Sequence, residues 1–130
     1  MAKPRKTIRV RIPEYQYPRL RWRHALQERV RQKQRRLGIE YAKSDRLEIV
    51  VRLYFRQPAL EKHDLDNRLK DILDALQGRI SGPKRIRPQN PIIPNDSQIF
   101  RIIAEKSAPP RQSHGHGHLT IRRNTPRRGG

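Results

Sequence analysis

The sequence contains no cysteine. This absence excludes a scaffold held by disulfides, a zinc site with thiolate ligands and catalysis by a cysteine nucleophile. Long apolar runs are also absent, and none reaches the length of a membrane-spanning helix or of the hydrophobic region of a signal peptide. We therefore expect an intracellular protein with no membrane partner.

Acidic residues are scarce. The 130 residues include 12 Asp+Glu against 31 Lys+Arg, which gives a formal net charge of +19. A compact chain with this excess repels itself, and a polyanion that releases counterions on binding would relieve the repulsion. Nucleic acid is the leading candidate partner. A ribosomal-type basic protein or a basic face on an anionic membrane are the alternatives, and the lack of a long amphipathic Trp/Leu-rich helix disfavours the membrane.

The hydrophobic pattern predicts an α+β fold, in which a small mixed β-sheet is flanked by two main helices. Alternating and β-branched segments predict strands at residues 7–12, 47–55, 97–106 and 118–123. In the third of these strands we expect Ile99 and either Ile102 or Ile103 to pack in the core. Residues 1–123 are assigned to a single domain, and residues 124–130 to a basic flexible tail.

Apolar residues at helical spacing predict the two helices, at residues 19–37 and 65–77. In the first helix, Trp22, Leu26 and Val30 form a narrow apolar stripe, and Gly38 suits the position just after its last turn. Basic residues cover most of the remaining surface of this helix, and more of them lie in the proline-rich loop at residues 79–95. We expect DNA contacts from Arg19, Arg21, Arg23, Lys33, Arg35, Arg36, Lys84, Arg85 and Arg87.

Against the global charge, acids concentrate in the segment H-D-L-D-N-R-L-K-D-I-L-D-A-L. On a helix, Asp64 would lie near the N-cap and accept backbone N–H bonds. Asp66, Lys70 and Asp74 are spaced four apart and would line one seam, where Asp–Lys pairs ordinarily stabilise a helix. Capping and pairing do not explain why two carboxylates flank one leucine and are followed at once by Asn67.

The acidic segment has the chemistry of a magnesium site. Mg²⁺ prefers hard oxygen ligands, and phosphodiester hydrolysis commonly uses such an ion. Lys70 lies one turn from Asp66 and could stabilise charge that develops on a phosphate. Asp96, in I-I-P-N-D-S-Q-I, is the candidate for a third carboxylate, with a simple turn residue as the alternative.

The composite D-L-D-N-R-L-K-D-I-L-D-A-L, followed by N-D-S-Q-I, resembles the signature of the RusA-type Holliday-junction resolvases, over roughly residues 47–104. The resemblance implies a RusA-like nuclease domain that cuts four-way DNA junctions in recombination and repair, with Mg²⁺ as cofactor and Mn²⁺ as a substitute. It implies that Asp64, Asp66 and Asp96 hold the metal and that Lys70 assists catalysis. Supporting roles fall to Asn67, Asp74 and Asn95. The family usually has two acids where this chain has Asn95-Asp96, which implies weaker metal binding.

The resemblance also implies a homodimer, because resolving a two-fold symmetric junction needs two matched cuts. It implies a cytoplasmic, nucleoid-associated protein of a prokaryotic cell or a phage. Two other functions stay open from the residues alone. One is a nucleic-acid-binding protein without catalysis, and the other is a nuclease of the same fold acting on flaps or single strands.

Aromatic and histidine residues allow both structural and functional interpretations. Tyr15, Tyr17 and Trp22 lie among arginines and could stack on bases, although Trp22 is as readily a core residue. We interpret His63 as an exposed turn residue rather than an acid–base catalyst. His114, His116 and His118 alternate with glycine, which favours a flexible loop over a metal site.

Overall fold

The computed structural model describes residues 6–80, 90–112 and 116–124. The fold is α+β. Its strands are β1 (Ile8–Arg11), β2 (Leu47–Tyr54), β3 (Ile99–Ser107) and β4 (Gly117–Arg123), and its α-helices are α1 (Arg19–Leu37), α2 (Ala59–Lys62) and α3 (Leu65–Leu76). A 3-10 helix, Asp96–Gln98, leads directly into β3. All the predicted strands and helices are present, and the additions are α2 and the 3-10 helix, which are too short to show a hydrophobic period.

The strands form one mixed sheet in the order β1-β4-β2-β3. Strand β4 runs antiparallel to both β1 and β2, whereas β3 runs parallel to β2. Leu119 of β4 is in register with Val10 on one side and with Val51 on the other. These three side chains therefore share one face of the sheet. Strands β1 and β3 are the edges.

Helices α1 and α3 cover that face, and within residues 6–80, 90–112 and 116–124 no helix is seen to cover the other face. Every second residue of β1 is buried, as expected for a sheet with one covered face. Trp22, Leu26 and Val30 are at most 1% exposed, which confirms the predicted stripe of α1. Helix α3 adds its buried side chains Ile72, Ala75 and Leu76 to the same core.

Two glycines are required by the backbone. Gly38 follows α1 with a φ of 65° and donates its N–H to the carbonyl of Arg35, which confirms its predicted place after the helix. Gly117 opens β4 with a φ of 138°, and a Cβ there would lie 2.1 Å from the carbonyl oxygen of Arg52. Only glycine permits this approach between β4 and β2.

The expected packing of β3 is wrong for Ile102 and Ile103. Their side chains are 42% and 36% exposed, while Ile99 packs partly buried against the core. Ile103 is in register with Val50 on the face that has no helix. Ile102 is in register with Ile49 on the covered face, but β3 is an edge strand and has a neighbouring strand on one side only.

Ile92 and Ile93 take up core positions that the sequence pattern did not indicate. Both are almost fully buried, and both backbone N–H groups donate to the carbonyl oxygen of Leu76. They follow the proline-rich loop, of which residues 81–89 lie outside the described chain. Because they stand between prolines, they show no helix or strand period.

At the end of β4, the backbone N–H of Asn124 donates to the carbonyl of Arg46 at 2.7 Å. The rest of the predicted basic tail, residues 125–130, lies outside the described residues. No helix in the described part of the chain combines the length and the apolar character that crossing a membrane requires.

Candidate functional site

Asp64 occupies the N-cap position of α3 with extended backbone angles, φ −74° and ψ 126°. The prediction that its side chain caps the helix is wrong, since the carboxylate accepts no backbone N–H. Its contact is instead the side-chain amide of Asn67, whose Nδ2 lies 3.4 Å from Asp64 Oδ2. The carboxylate is exposed, and its oxygens remain largely available to a ligand.

Two elements distant in sequence meet at one pocket of about 500 Å³. Helix α3 contributes Asp66, Lys70 and Asp74, and the 3-10 helix contributes Asp96. Leu69, Leu73, Gln77 and Arg79 complete the lining. The structure therefore brings together Asp66, Asp96 and Lys70, and it leaves Asp64 outside this lining.

Three charged residues of the pocket, Asp66, Lys70 and Asp96, have no side-chain partner in the described chain. Asp66, Lys70 and Asp96 are all exposed, and none of their side chains forms a hydrogen bond or an ion pair with another described residue. The Asp66–Lys70 and Lys70–Asp74 pairs, which were the ordinary structural explanation for this spacing, are absent from the described part of the chain. A function in helix stabilisation does not account for these residues.

The donor set suits a hydrated Mg²⁺. This ion commonly takes only one or two protein carboxylates and completes its shell with waters and substrate phosphates. Asp66 and Asp96 supply two exposed carboxylates at one pocket. Among residues 6–80, 90–112 and 116–124, no three His, Asp or Glu side chains are spaced to hold a metal unaided. The residues present therefore fit a metal that arrives with its waters and the substrate.

Asp71, which follows Lys70 directly in α3, has a different environment from the pocket residues. It is fully buried, and the guanidinium groups of Arg19 and Arg23 each approach its Oδ1 to 2.9 Å. Arg68 lies 3.4 Å from Oδ2. The hydrogen bond that Arg19 donates to Asp71 is the main cause that raises the pKa of Arg19. This buried cluster fastens α1 to α3.

Asp74 shares in the same contact between the helices, because Arg23 Nη2 lies 3.2 Å from its Oδ2. It lines the pocket with a charge that is already paired. Arg19 and Arg23, which the sequence placed among the DNA contacts, are partners of buried or half-buried acids. No feature of α1 alone could have revealed these partners, because they lie about 50 residues along the chain.

Asn95 and Gln98 fix the position of Asp96. Asn95 Oδ1 accepts from the backbone N–H of Ser97 at 3.0 Å, and Gln98 Oε1 accepts from the N–H of Asn95 at 2.9 Å. This is a capping box. The buried Gln98 also donates through Nε2 to the carbonyls of Ala42 and Asp45. The sequence N-D-S-Q is the pattern of a capping box. The sequence-based interpretation missed it because it treated Asn95 as a metal ligand.

His63 is not the exposed turn residue that the sequence indicated. Its ring stacks on Phe55 with centroids 4.3 Å apart and meets Tyr15 edge-on at 4.8 Å. Burial, followed by the nearby charges of Arg68 and Lys106, lowers the pKa of His63. Trp22 is a core residue whose Nε1 donates to the carbonyl of Pro13, so it is not free to stack on a base.

The other predicted DNA contacts divide by position. Arg21, Arg35 and Arg36 are exposed on α1, and Lys33 is partly exposed. Lys84, Arg85 and Arg87 lie outside the described residues. His116 precedes β4 and His118 lies within it, whereas His114 is also outside the described chain.

A scan of the chain against protein-family models finds no match, and neither does a search of curated proteins.

Proposed function

We propose that the protein is a Mg²⁺-dependent endodeoxyribonuclease that cleaves branched DNA. The observation that carries the proposal is the open pocket in which Asp66, Lys70 and Asp96 converge from α3 and the 3-10 helix. Two carboxylates and an ammonium group without described partners are the components that metal-assisted phosphodiester hydrolysis requires. The step to branched DNA rests on the resemblance of the motif to the RusA-type resolvases.

The pocket is distinguished by bringing two unpaired carboxylates, Asp66 and Asp96, to one place, although Glu14, Glu28, Glu40 and Glu61 also form no ion pair in the described chain. In the described chain, arginines pair with five carboxylates, of which Asp45, Glu48 and Asp71 are buried, Asp74 is partly buried and Glu105 is exposed. With 31 Lys+Arg in the chain, cations for Asp66 and Asp96 are not in short supply. Their unpaired state supports a role in which an external cation takes the place of an arginine.

Each pocket residue has a definite task in this proposal. Asp66 and Asp96 would hold the Mg²⁺, which supplies an activated water and neutralises the scissile phosphate when it is bound. Lys70 donates hydrogen bonds to the phosphoryl oxygens as negative charge develops on them. Arg79 adds a second cation to the lining.

Asp64 and Asn67 stand at the start of the same helix. Their contact holds the Asp64 carboxylate beside the first turn of α3, where it can bind a water of the metal shell or a second ion. The positive N-terminal end of the helix dipole favours anionic side chains and anionic substrates there. The proposed order of importance is therefore Asp66 and Asp96 first and Asp64 next.

A cleavage assay tests the proposal. A labelled four-way junction, a flap and a matched linear duplex would be incubated with Mg²⁺, with Mn²⁺ and with EDTA. We expect paired, metal-dependent cuts on the junction. Asp66→Asn and Asp96→Asn should each reduce cleavage by at least about 100-fold, as loss of one charge-stabilising group typically does. Binding measured in EDTA should persist.

Glu61→Gln is the matched control, because Glu61 is an exposed acid in the neighbouring helix α2 and lies outside the pocket lining. It should cleave like the wild type. Tight binding without cleavage in either metal would contradict the enzyme and indicate a binding protein. Preferential cutting of the flap would reassign the substrate, and equal activity of all three variants would remove the carboxylates from the mechanism.

A further inference from the structure

A second surface, on the other side of α1 from the acidic pocket, concentrates positive charge. A cleft of about 580 Å³ runs between β1 and α1. Its lining consists of Arg9, Val10, Arg11, Arg29, Gln32, Lys33, Arg36 and His118, and it includes no carboxylate. We call this surface the β1–α1 cleft. It shares no lining residue with the acidic pocket.

What distinguishes the β1–α1 cleft is that several cations without an acid partner line one surface, although Arg21, Arg35, Arg46, Arg56 and Arg111 also form no ion pair in the described chain. Arg19, Arg23, Arg52, Arg101, Arg122 and Arg123 each lie within ion-pair distance of an Asp or Glu. Within the described chain, no carboxylate lies at that distance from the charged groups of Arg9, Arg11, Lys33 or Arg36. Arg29 instead donates through Nη1 to the carbonyl of Arg11 at 3.3 Å, which positions its guanidinium beside β1.

His118 belongs to the cleft lining and lies near several of these charges. Burial is the first cause that lowers the pKa of His118, and the charges of Arg9, Arg11 and Arg52 follow. Gathering like charges in one cleft costs stability unless an anion is bound there. The fold therefore carries a repulsive cluster that a ligand would relieve.

We propose that the β1–α1 cleft binds the phosphate backbone of duplex DNA. This inference takes DNA as the partner from the proposed function, but it requires no cleavage. The cations stand in two rows that suit a line of phosphates better than a single anion. Arg29, Lys33 and Arg36 follow one side of α1 over about 10 Å, and Arg9 and Arg11 lie about 7 Å apart along β1. A DNA strand presents a phosphate about every 3.4 Å along the helix axis.

Anisotropy of a short labelled duplex, titrated in EDTA across a series of salt concentrations, tests the cleft without any cleavage. The variant Arg9→Gln/Lys33→Gln/Arg36→Gln removes three cleft charges. The control Lys43→Gln/Lys62→Gln/Arg111→Gln removes three exposed charges outside the cleft lining. Both variants have the same net charge.

We expect the cleft variant to lose at least about tenfold more affinity than the control. The slope of its plot of log affinity against log salt concentration should decrease in magnitude by about 2 to 3, because each lost phosphate contact lowers that magnitude by about 0.9. Its melting temperature should equal or exceed that of the wild type, because a repulsive cluster has been diluted. Equal losses of affinity and slope in the two variants would overturn the proposal, and so would a cleft variant that is clearly less stable than the control. If the triple variant does not fold, Arg9→Gln and Lys33→Gln provide the comparison one charge at a time, each with a slope change of about 0.9.

Competition identifies the anion. Inorganic phosphate should displace the duplex no better than sodium chloride of equal ionic strength. Stronger displacement by phosphate would indicate a site for a single free anion and overturn the assignment to a backbone. A protein that fails to cut junctions but shows the expected difference between the two triple variants would lose the proposed nuclease function and keep the cleft.

Discussion

Asp71 is fully buried between α1 and α3, whereas Asp66, five positions earlier on the same helix, is exposed at the acidic pocket. Guanidinium groups surround Asp71, and no described side chain pairs with Asp66. The same side-chain carboxylate thus stabilises the fold at position 71 and is available to a ligand at position 66. The difference arises from the helix face, because one face of α3 packs against α1 and the other faces solvent.

Asp71→Asn should destabilise the protein by about 3 kcal/mol, because it leaves Arg19, Arg23 and Arg68 close together without a counter-charge. Asp66→Asn should change the free energy of unfolding by less than about 0.5 kcal/mol, as is usual for an exposed residue without contacts. Urea denaturation at neutral pH compares the two. Equal stability of the two variants would show that the buried cluster does not fasten the helices.

At the scale of elements, the capping box explains why an asparagine can stand at position 95. Its side-chain oxygen accepts from Ser97 and begins the 3-10 helix that bears Asp96. An aspartate would cap equally well and would add a charge beside Asp96. Asparagine at position 95, where the resolvase motif has an acid, therefore removes a negative charge and leaves the backbone geometry of the turn unchanged.

Asn95→Asp should keep the stability within about 0.5 kcal/mol of the wild type and bind Mg²⁺ more tightly, whereas Asn95→Ala should lose about 1 kcal/mol with the cap. Thermal unfolding gives the stabilities, and calorimetric titration with Mg²⁺ gives the affinities. Unchanged affinity in Asn95→Asp would mean that position 95 lies outside the reach of the metal.

The long elements could be predicted from the sequence because each has a repeated period. The stripe of α1 and the strand β2 show their buried faces directly in the spacing of apolar residues. Ile92 and Ile93 could not be placed in the core, because two residues between prolines form no period. The exposure of Ile102 and Ile103 depends on sheet order, which local pattern does not contain.

The candidate site was predictable in part for the same reason. The grouping of Asp66 and Lys70 follows from helical spacing, whereas Asp96 was a candidate from its place before a strand and from the motif resemblance, and no local period places it beside the helix. The partners of Arg19 and Arg23 depend on the packing of α1 against α3, so a basic helix resembled a DNA-contacting face at positions where it holds the fold together.

At the scale of the whole molecule, β3 is an edge strand with apolar side chains, and no other described strand pairs with its outer side. Phe100, Ile102 and Ile103 are 58%, 42% and 36% exposed. An exposed edge strand of this kind is a template for pairing with another strand. We propose that a second copy pairs there in antiparallel fashion about Ile103. That register sets Arg101 opposite Glu105 of the second copy, and the reverse, so opposite charges meet twice.

Ile103→Lys should weaken self-association by about tenfold or more, because it places a charge at the centre of the paired strands and removes buried apolar area. Thr7→Lys, an exposed change beside β1 at the opposite edge, should leave association unchanged. Sedimentation velocity over a range of concentrations measures both. A wild-type protein that stays monomeric throughout, or equal effects of the two substitutions, would contradict pairing at β3.

The side chain of Gln98 links the two halves of the chain, and this link determines how changes elsewhere in the sequence would alter the acidic pocket. It anchors the turn that carries Asp96 to the carbonyls of Ala42 and Asp45, in the connection between α1 and β2. That connection is far from Asp66 in sequence and contributes nothing to the pocket lining. Lengthening or shortening it would nevertheless shift one carboxylate relative to the other, so the separation of the two acids can be retuned from a loop that touches neither of them.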